Sequence, residues 1–129
     1  MKKSLLSITS LTFLLLSGCS STGDQQKNLE LLAANRASVL NAELPIEQGP
    51  LNIMRASSKG STIEMMMIYN LDQQGAQSMT QVMEKSVQRF CSSSEIRANL
   101  DVGISYRLHV RNPRGQLMVD QIVTKSQCK

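Results

Sequence analysis

The stretch VGISYRLHVRNPRG, Val102 to Gly115, alternates side-chain character along its first part and then turns. Val102, Ile104, Tyr106, Leu108 and Val110 fall on one side, and Gly103, Ser105, Arg107, His109 and Arg111 on the other. This period of two is the signature of a half-buried strand. Asn112, Pro113 and Gly115 then occupy the first, second and fourth positions of a type I turn. The residues from about Gln116 to Thr124 read as the returning strand, so the C-terminal part of the chain predicts a hairpin and therefore a sheet.

Working towards the N-terminus, Ser78-Met79-Thr80-Gln81 has the form of a capping box. Met79, Val82, Met83, Val87 and Phe90 follow at helical spacing, which predicts an amphipathic helix ending near Cys91. Ser92 to Asn99 reads as a connection with a short helical turn from Ser94. Leu51 to Ser57 and Thr62 to Asn70 read as two further strands, joined through Ser58-Lys59-Gly60 in a first hairpin. A helix is expected over about Asn28 to Ala42, with Leu29, Leu32, Arg36, Val39 and Leu40 at helical spacing and Pro45 stopping it. The order helix, hairpin, helix, hairpin predicts an α+β domain: an antiparallel sheet of four to five strands with flanking helices. How the two hairpins join is left open.

The first 18 residues have another character. Lys2 and Lys3 precede an apolar run from Leu5 to Leu16, and Leu16-Ser17-Gly18-Cys19 has the pattern of a lipoprotein signal peptide ending at a lipidated cysteine. The run is too short and too broken by Ser7, Thr9, Ser10 and Thr12 for a membrane span. Several acyl chains on Cys19 would give stable anchoring, because each buried methylene contributes about 0.8 kcal/mol. Ser20, rather than an aspartate, follows the cysteine, which implies sorting to the outer membrane. The expected organisation is a signal peptide over 1–18, a lipidated flexible linker over 19–27 and a single domain over 28–129.

The formal charge of the 129-residue chain is +4, and loss of Lys2 and Lys3 with the signal lowers it to +2. No basic block survives, and beyond the signal only Tyr69, Phe90 and Tyr106 are aromatic, so no nucleic-acid partner is expected. With Cys19 lipidated, Cys91 and Cys128 form an even pair in an oxidising compartment, and a disulfide between them is expected.

Catalytic chemistry is thinly represented. His109 is the sole histidine, no metal-ligand spacing occurs, and neither a nucleophile elbow nor a phosphate loop is present. No metal and no cofactor are expected. A small hydrolase would need an acid/base cluster around Glu64, Asp120 or His109.

Methionine is the surplus: Met54, Met65, Met66, Met67, Met79, Met83 and Met118 all lie beyond the signal. Alternation puts Ile63, Met65, Met67 and Tyr69 on one face of their strand and Met66 and Ile68 on the other. In the last strand Leu117, Val119 and Val123 oppose Met118 and Ile122. Both sheet faces therefore carry apolar area. Either helices cover both, or one Met-lined face stays open to receive an amphipathic helix from a partner, which methionine suits because it is flexible and polarizable.

The lipobox, LLAANRASVLNAELPI (31–46), SSKGSTIEMMMI (57–68), FCSSSEIRANLDVGISYRLHVRNPRGQ (90–116) and the terminal TKSQC (124–128) together resemble the pilotins of bacterial type II secretion, of the sheet-containing AspS (GspS-beta) class. In that class the two cysteines of the domain form a disulfide. The resemblance implies a non-enzymatic lipoprotein that binds the C-terminal helix of a secretin in the periplasm and rides the lipoprotein-sorting machinery to the outer membrane. It would face the periplasm, held by its lipid anchor. The strand faces suggest Met54, Met66, Ile68, Met118 and Ile122 as the partner-binding set, with Arg107 and Arg111 as a polar rim. A structural or envelope-assembly lipoprotein that binds another outer-membrane component is the alternative.

Overall fold

The computed structural model describes residues 21–129. The expected signal peptide, the lipidation site Cys19 and Ser20 lie outside the described residues. Three α-helices and five strands follow in order among the described residues: α1 (Ser21–Ala42), β1 (Ile46–Gln48), β2 (Leu51–Lys59), β3 (Thr62–Tyr69), α2 (Met79–Ser92), α3 (Ser94–Asp101), β4 (Ser105–Arg111) and β5 (Leu117–Val123). A 3-10 turn over Lys125–Gln127 completes the fold. None of these helices is long and apolar enough to cross a membrane.

The strands lie in sequence order, β1-β2-β3-β4-β5, in one sheet. The α+β class with helices flanking a five-stranded sheet is the expected one. One strand pair departs from the expected antiparallel pattern: β3 and β4 run parallel, from Thr62 beside Ser105 to Ile68 beside Arg111. The reason is the connection. Between the two strands the chain travels through α2 and α3, a helical crossover that returns it to the end of the sheet from which β3 started.

Three local boundaries also move. Helix α1 includes residues 21–27, expected as linker. These turns are exposed rather than packed. A Gln26–Glu30 side-chain hydrogen bond of 3.1 Å joins groups one turn apart there. Strand β4 starts at Ser105 rather than Val102, because Val102 ends α3 with helical dihedrals and Gly103, at φ 105°, turns the chain. Finally, β1 is a strand of only three residues, too short to leave a periodic signal.

Ser93 separates α2 from α3 and serves both. Its N–H closes the end of α2 on the Arg89 carbonyl, and its hydroxyl accepts the Ile96 N–H at the start of α3. At the start of α2, the Ser78 hydroxyl oxygen accepts the Gln81 N–H as a capping box requires, while the Gln81 side chain accepts from that hydroxyl instead of reaching back to the backbone.

A single apolar cluster joins the helices to one face of the sheet. Ala33 and Ala37 of α1, Met83 and Phe90 of α2, and Leu100 of α3 pack with Ile63, Met65, Met67, Tyr69, Ile104, Tyr106, Leu108, Val110 and Val123. Small residues on α1 allow it to lie close to the strands. Phe90 meets Tyr106 edge-on with ring centres 5.2 Å apart, a favoured aromatic geometry. The Tyr106 hydroxyl accepts from the buried Asn99 amide at 2.8 Å, and burial pushes that phenol's pKa up. The disulfide between Cys91 and Cys128 is present and ties the end of α2 to the tail, with Cα atoms 5.2 Å apart. Just before it, the Gln127 side chain donates to the Ile122 carbonyl and accepts from the Thr124 N–H, satisfying backbone groups on the free edge of β5.

Candidate functional site

Among the described residues a concave, largely apolar surface lies on the helix-bearing side of the sheet, between the end of α1 with β1 and the flank of α2. Strand β3 has eight residues in strict alternation, so Met65, Met67 and Tyr69 all point into the helix layer and form its floor with Leu51 and Ile53 of β2. Leu40 and Leu44 from α1 and the following turn, Ile46 of β1, and Val82 and Phe90 of α2 form the walls. The enclosed volume is about 410 Å³, within the range of sites that receive ligand or peptide side chains. One end is fixed by Tyr69, whose hydroxyl donates to the Gln77 carbonyl at 3.0 Å and accepts the Gln77 N–H at 2.6 Å. The α1 side is held by Asn41, whose side-chain oxygen accepts the Ala56 N–H at 3.1 Å. That amide lies beyond the reach of the short β1, where β2 itself becomes the sheet edge.

Polar groups are confined to the rim. Lys85 of α2 donates to the Gln77 side chain at 2.8 Å, and Arg89, one turn later, donates to the Gln48 side chain at 3.1 Å. The Arg89–Gln48 bond joins α2 to β1 across the groove. Glu43 stands on the opposite rim. An apolar trough with a charged border suits the apolar stripe of an amphipathic helix.

Among the described residues no helix packs on the other face of the sheet. Register brings Met66 beside Arg55 and His109, Ile68 beside Asn52 and Arg111, and Arg107 beside Ile122. Five of the seven residues expected to bind a partner, Met66, Ile68, Ile122, Arg107 and Arg111, are therefore brought onto this face. Met54 and Met118 each sit at a break in register, between Ile53 and Arg55 in β2 and between Leu117 and Val119 in β5. The second bulge corrects the alternation read for β5: Leu117 pairs with Arg111 and is 51% exposed, instead of sharing the core face with Val119 and Val123.

Much of this face is a polar ladder. Arg107 binds both oxygens of Asp120, at 2.8 and 2.7 Å, and its third nitrogen is 3.6 Å from Glu64. His109 lies 3.8 Å from Asp120. The Arg107 hydrogen bonds hold the Asp120 carboxyl below its ordinary pKa. Arg111 is engaged with the Gly115 carbonyl at 2.8 Å. The three groups that a hydrolase would need do come together, but as a cross-strand ion-pair array on an open surface, with Asp120 committed to Arg107 and thereby a weak base. No group of three or more potential metal ligands occurs among the described residues.

The groove was not legible in the sequence. Leu40, Leu44, Val82 and Ile53 look like ordinary core positions, and only the gap left between α1 and α2 turns them into a lining. The Pro45 stop was the available signal, since α1 ends just before it and leaves Leu40 and Leu44 on the wall of the groove.

The family model for the type II secretion system (T2SS) pilotin, S protein, matches residues 25–128. Pilotin AspS 2 of Escherichia coli O78:H11 (strain H10407 / ETEC) is 29% identical over 110 residues, which cover 85% of this chain and 76% of that protein. Among solved structures, the type II secretion system pilotin AspS from Vibrio cholerae superimposes with a TM-score of 0.79 at 58% identity, covering 84% of this chain and 99% of that one. EpsS, the pilotin from the Vibrio vulnificus type 2 secretion system, gives a TM-score of 0.79 at 47% identity over 83% and 97% of the respective chains. With a family match that spans nearly every described residue and more than half of the aligned positions identical to a solved pilotin, the chain belongs to the type II secretion system pilotin (S protein) family and is a pilotin, not an enzyme.

Proposed function

We propose that this pilotin is an outer-membrane lipoprotein that binds the C-terminal helix of a type II secretin and delivers it to the outer membrane for assembly. The observation that carries the reading is the groove: an apolar floor of Met65, Met67 and Tyr69, flanked by α1 and α2 and bordered by charge. A secretin tail that folds on docking would lay its apolar stripe on this floor, and the two methionines can adjust to it. Residues 1–18 would be removed by signal processing, and acylation of Cys19 would fasten the domain to the membrane, facing the periplasm, after passage along the lipoprotein-sorting machinery. The helical first turns of α1 would then act as a short stalk between anchor and domain.

Isothermal titration with a secretin C-terminal peptide tests the site. Ser86 is a small residue lining the groove, so Ser86→Trp fills the trough without removing core. It is expected to weaken binding more than about tenfold while the melting temperature holds, the scale of a blocked hot spot. Unchanged affinity would reject the groove. The face that carries Met66, Ile68 and Ile122 with Arg107 and Arg111, next to Met54 and Met118 at the bulges, is the second candidate surface, favoured by the 50% exposure of Ile122. Loss of binding in Ile68→Glu, with Ser86→Trp unaffected, would select it. In cells, Cys19→Ala is expected to leave the secretin at the inner membrane, and normal outer-membrane assembly in that variant would overturn the targeting role.

A further inference from the structure

We infer that the helix received by the groove is acidic along one flank, presenting two carboxylates one turn apart to Lys85 and Arg89. This rests on reading the groove as the secretin-tail site and adds the chemistry and orientation of the tail.

Lys85 and Arg89 are spaced i, i+4 on α2, so their stems emerge from one stripe of the helix about 5 to 6 Å apart, and both border the groove. Each is held by a neutral side-chain amide, Lys85 by Gln77 and Arg89 by Gln48. Among the described residues neither takes part in an ion pair, as is true of most other lysines and arginines there, but these two alone border the groove. The nearest acid on β1, Glu47, pairs with Asn52 and so belongs to the opposite side of the sheet. The α2 rim is therefore a pair of cations without internal counter-charge, above a floor with no charged group at all.

The opposite rim reverses the sign, because Glu43 stands where α1 ends. A helix lying in the trough with carboxylates on the α2 side and a basic residue on the α1 side satisfies both borders. The same helix turned end for end puts its carboxylates beside Glu43. The rim thus selects one direction of docking, as complementary charges at the edge of an apolar contact fix register more than they add affinity.

Arg89 gives the selection a mechanical element. Its bond to Gln48 spans from α2 to β1, so an entering helix must displace it. A carboxylate on the incoming flank replaces this neutral contact with a charge-assisted bond, which is roughly twice as strong and can be bidentate to a guanidinium. A neutral flank offers nothing in exchange.

The test is a titration of the secretin C-terminal peptide against wild type, Lys85→Glu/Arg89→Glu and Ser86→Trp, at low and high salt. A second peptide has the i, i+4 acidic pair of the bound helix changed to lysine. The double reversal is expected to weaken the native peptide about tenfold or more at low salt, and less at high salt where rim charges are screened. The lysine peptide is expected to recover affinity for the reversed variant. Binding of the native peptide to the double reversal within about twofold of wild type would overturn the inference, as would a bound tail with no such acidic pair. If Ser86→Trp alone abolishes binding, the groove reading stands and the charge assignment falls. If neither variant changes binding, both fall together.

Discussion

Met65 and Met66 are the same residue in adjacent positions of β3, yet Met65 is 7% exposed beneath the groove while Met66 lies beside Arg55 and His109 on the side without helices. The difference repeats along the strand, with Met67 against Ile68 and Tyr69 against its neighbours. One face buries its apolar groups against three helices, except where α1 stops early and leaves a trough. The other face sets half-buried Met66 and Ile68 and exposed Ile122 beside a charged or polar neighbour in the next strand. What separates the two is which side the helices pack on, since the strand treats both sides alike. Apolar area on a strand marks a binding surface only after the covering layer is known.

The largest expected break in this contrast comes from Phe90, which serves both as core and as groove wall. Phe90→Ala should destabilise the domain by about 3 to 5 kcal/mol, because a buried aromatic is replaced by a cavity beside Tyr106, and urea unfolding followed by circular dichroism would measure it. A stability loss of less than about 1 kcal/mol would mean that the helix layer is not closed on the sheet. Next in size is the tie between α2 and the tail. Cys91→Ser with Cys128→Ser should cost about 2 to 4 kcal/mol through the loop the crosslink closes. The same variant should free Gln127 from the edge of β5, and size-exclusion chromatography at rising concentration would show self-association there.

On the helix-free face the effects should be much smaller. Met66→Thr with Ile68→Thr is expected to change stability by less than about 1 kcal/mol, since both side chains are only partly covered and threonine favours strands. A change like that of Phe90→Ala would show that this face is covered in solution. The smallest effect belongs to the ladder. Asp120 has its pKa lowered from an ordinary 3.8 by Arg107, so the pair stabilises the fold above that value, and its contribution is lost as pH falls through the depressed folded value. Asp120→Asn should therefore lower the melting temperature slightly at neutral pH, and the gap to wild type should close in strongly acidic solution. A gap that persists there would assign the effect to packing instead.

How far the sequence carried the fold differs by region. The 105–111 strand, the turn at Asn112 to Gly115 and the helix from Met79 were legible, because their periodicity and capping residues act locally. The parallel join of β3 to β4 was not, since nothing in either strand records its neighbour. The bulges at Met54 and Met118 hid in otherwise regular patterns, and the second moved Leu117 to the outer face. Five of the seven residues put forward for binding share one face of the sheet, while the groove lies on the other.

By itself the sequence determined the class of the fold, the pairing of Cys91 with Cys128 and the division of β3 into two apolar stripes. These follow from short-range rules of alternation, capping and cysteine count. Only the tertiary structure decided which stripe lies under a groove and how Lys85, Arg89 and Glu43 come to border it. That depends on where α1 ends relative to α2, a distance between elements remote in the chain and set by packing rather than by any local pattern.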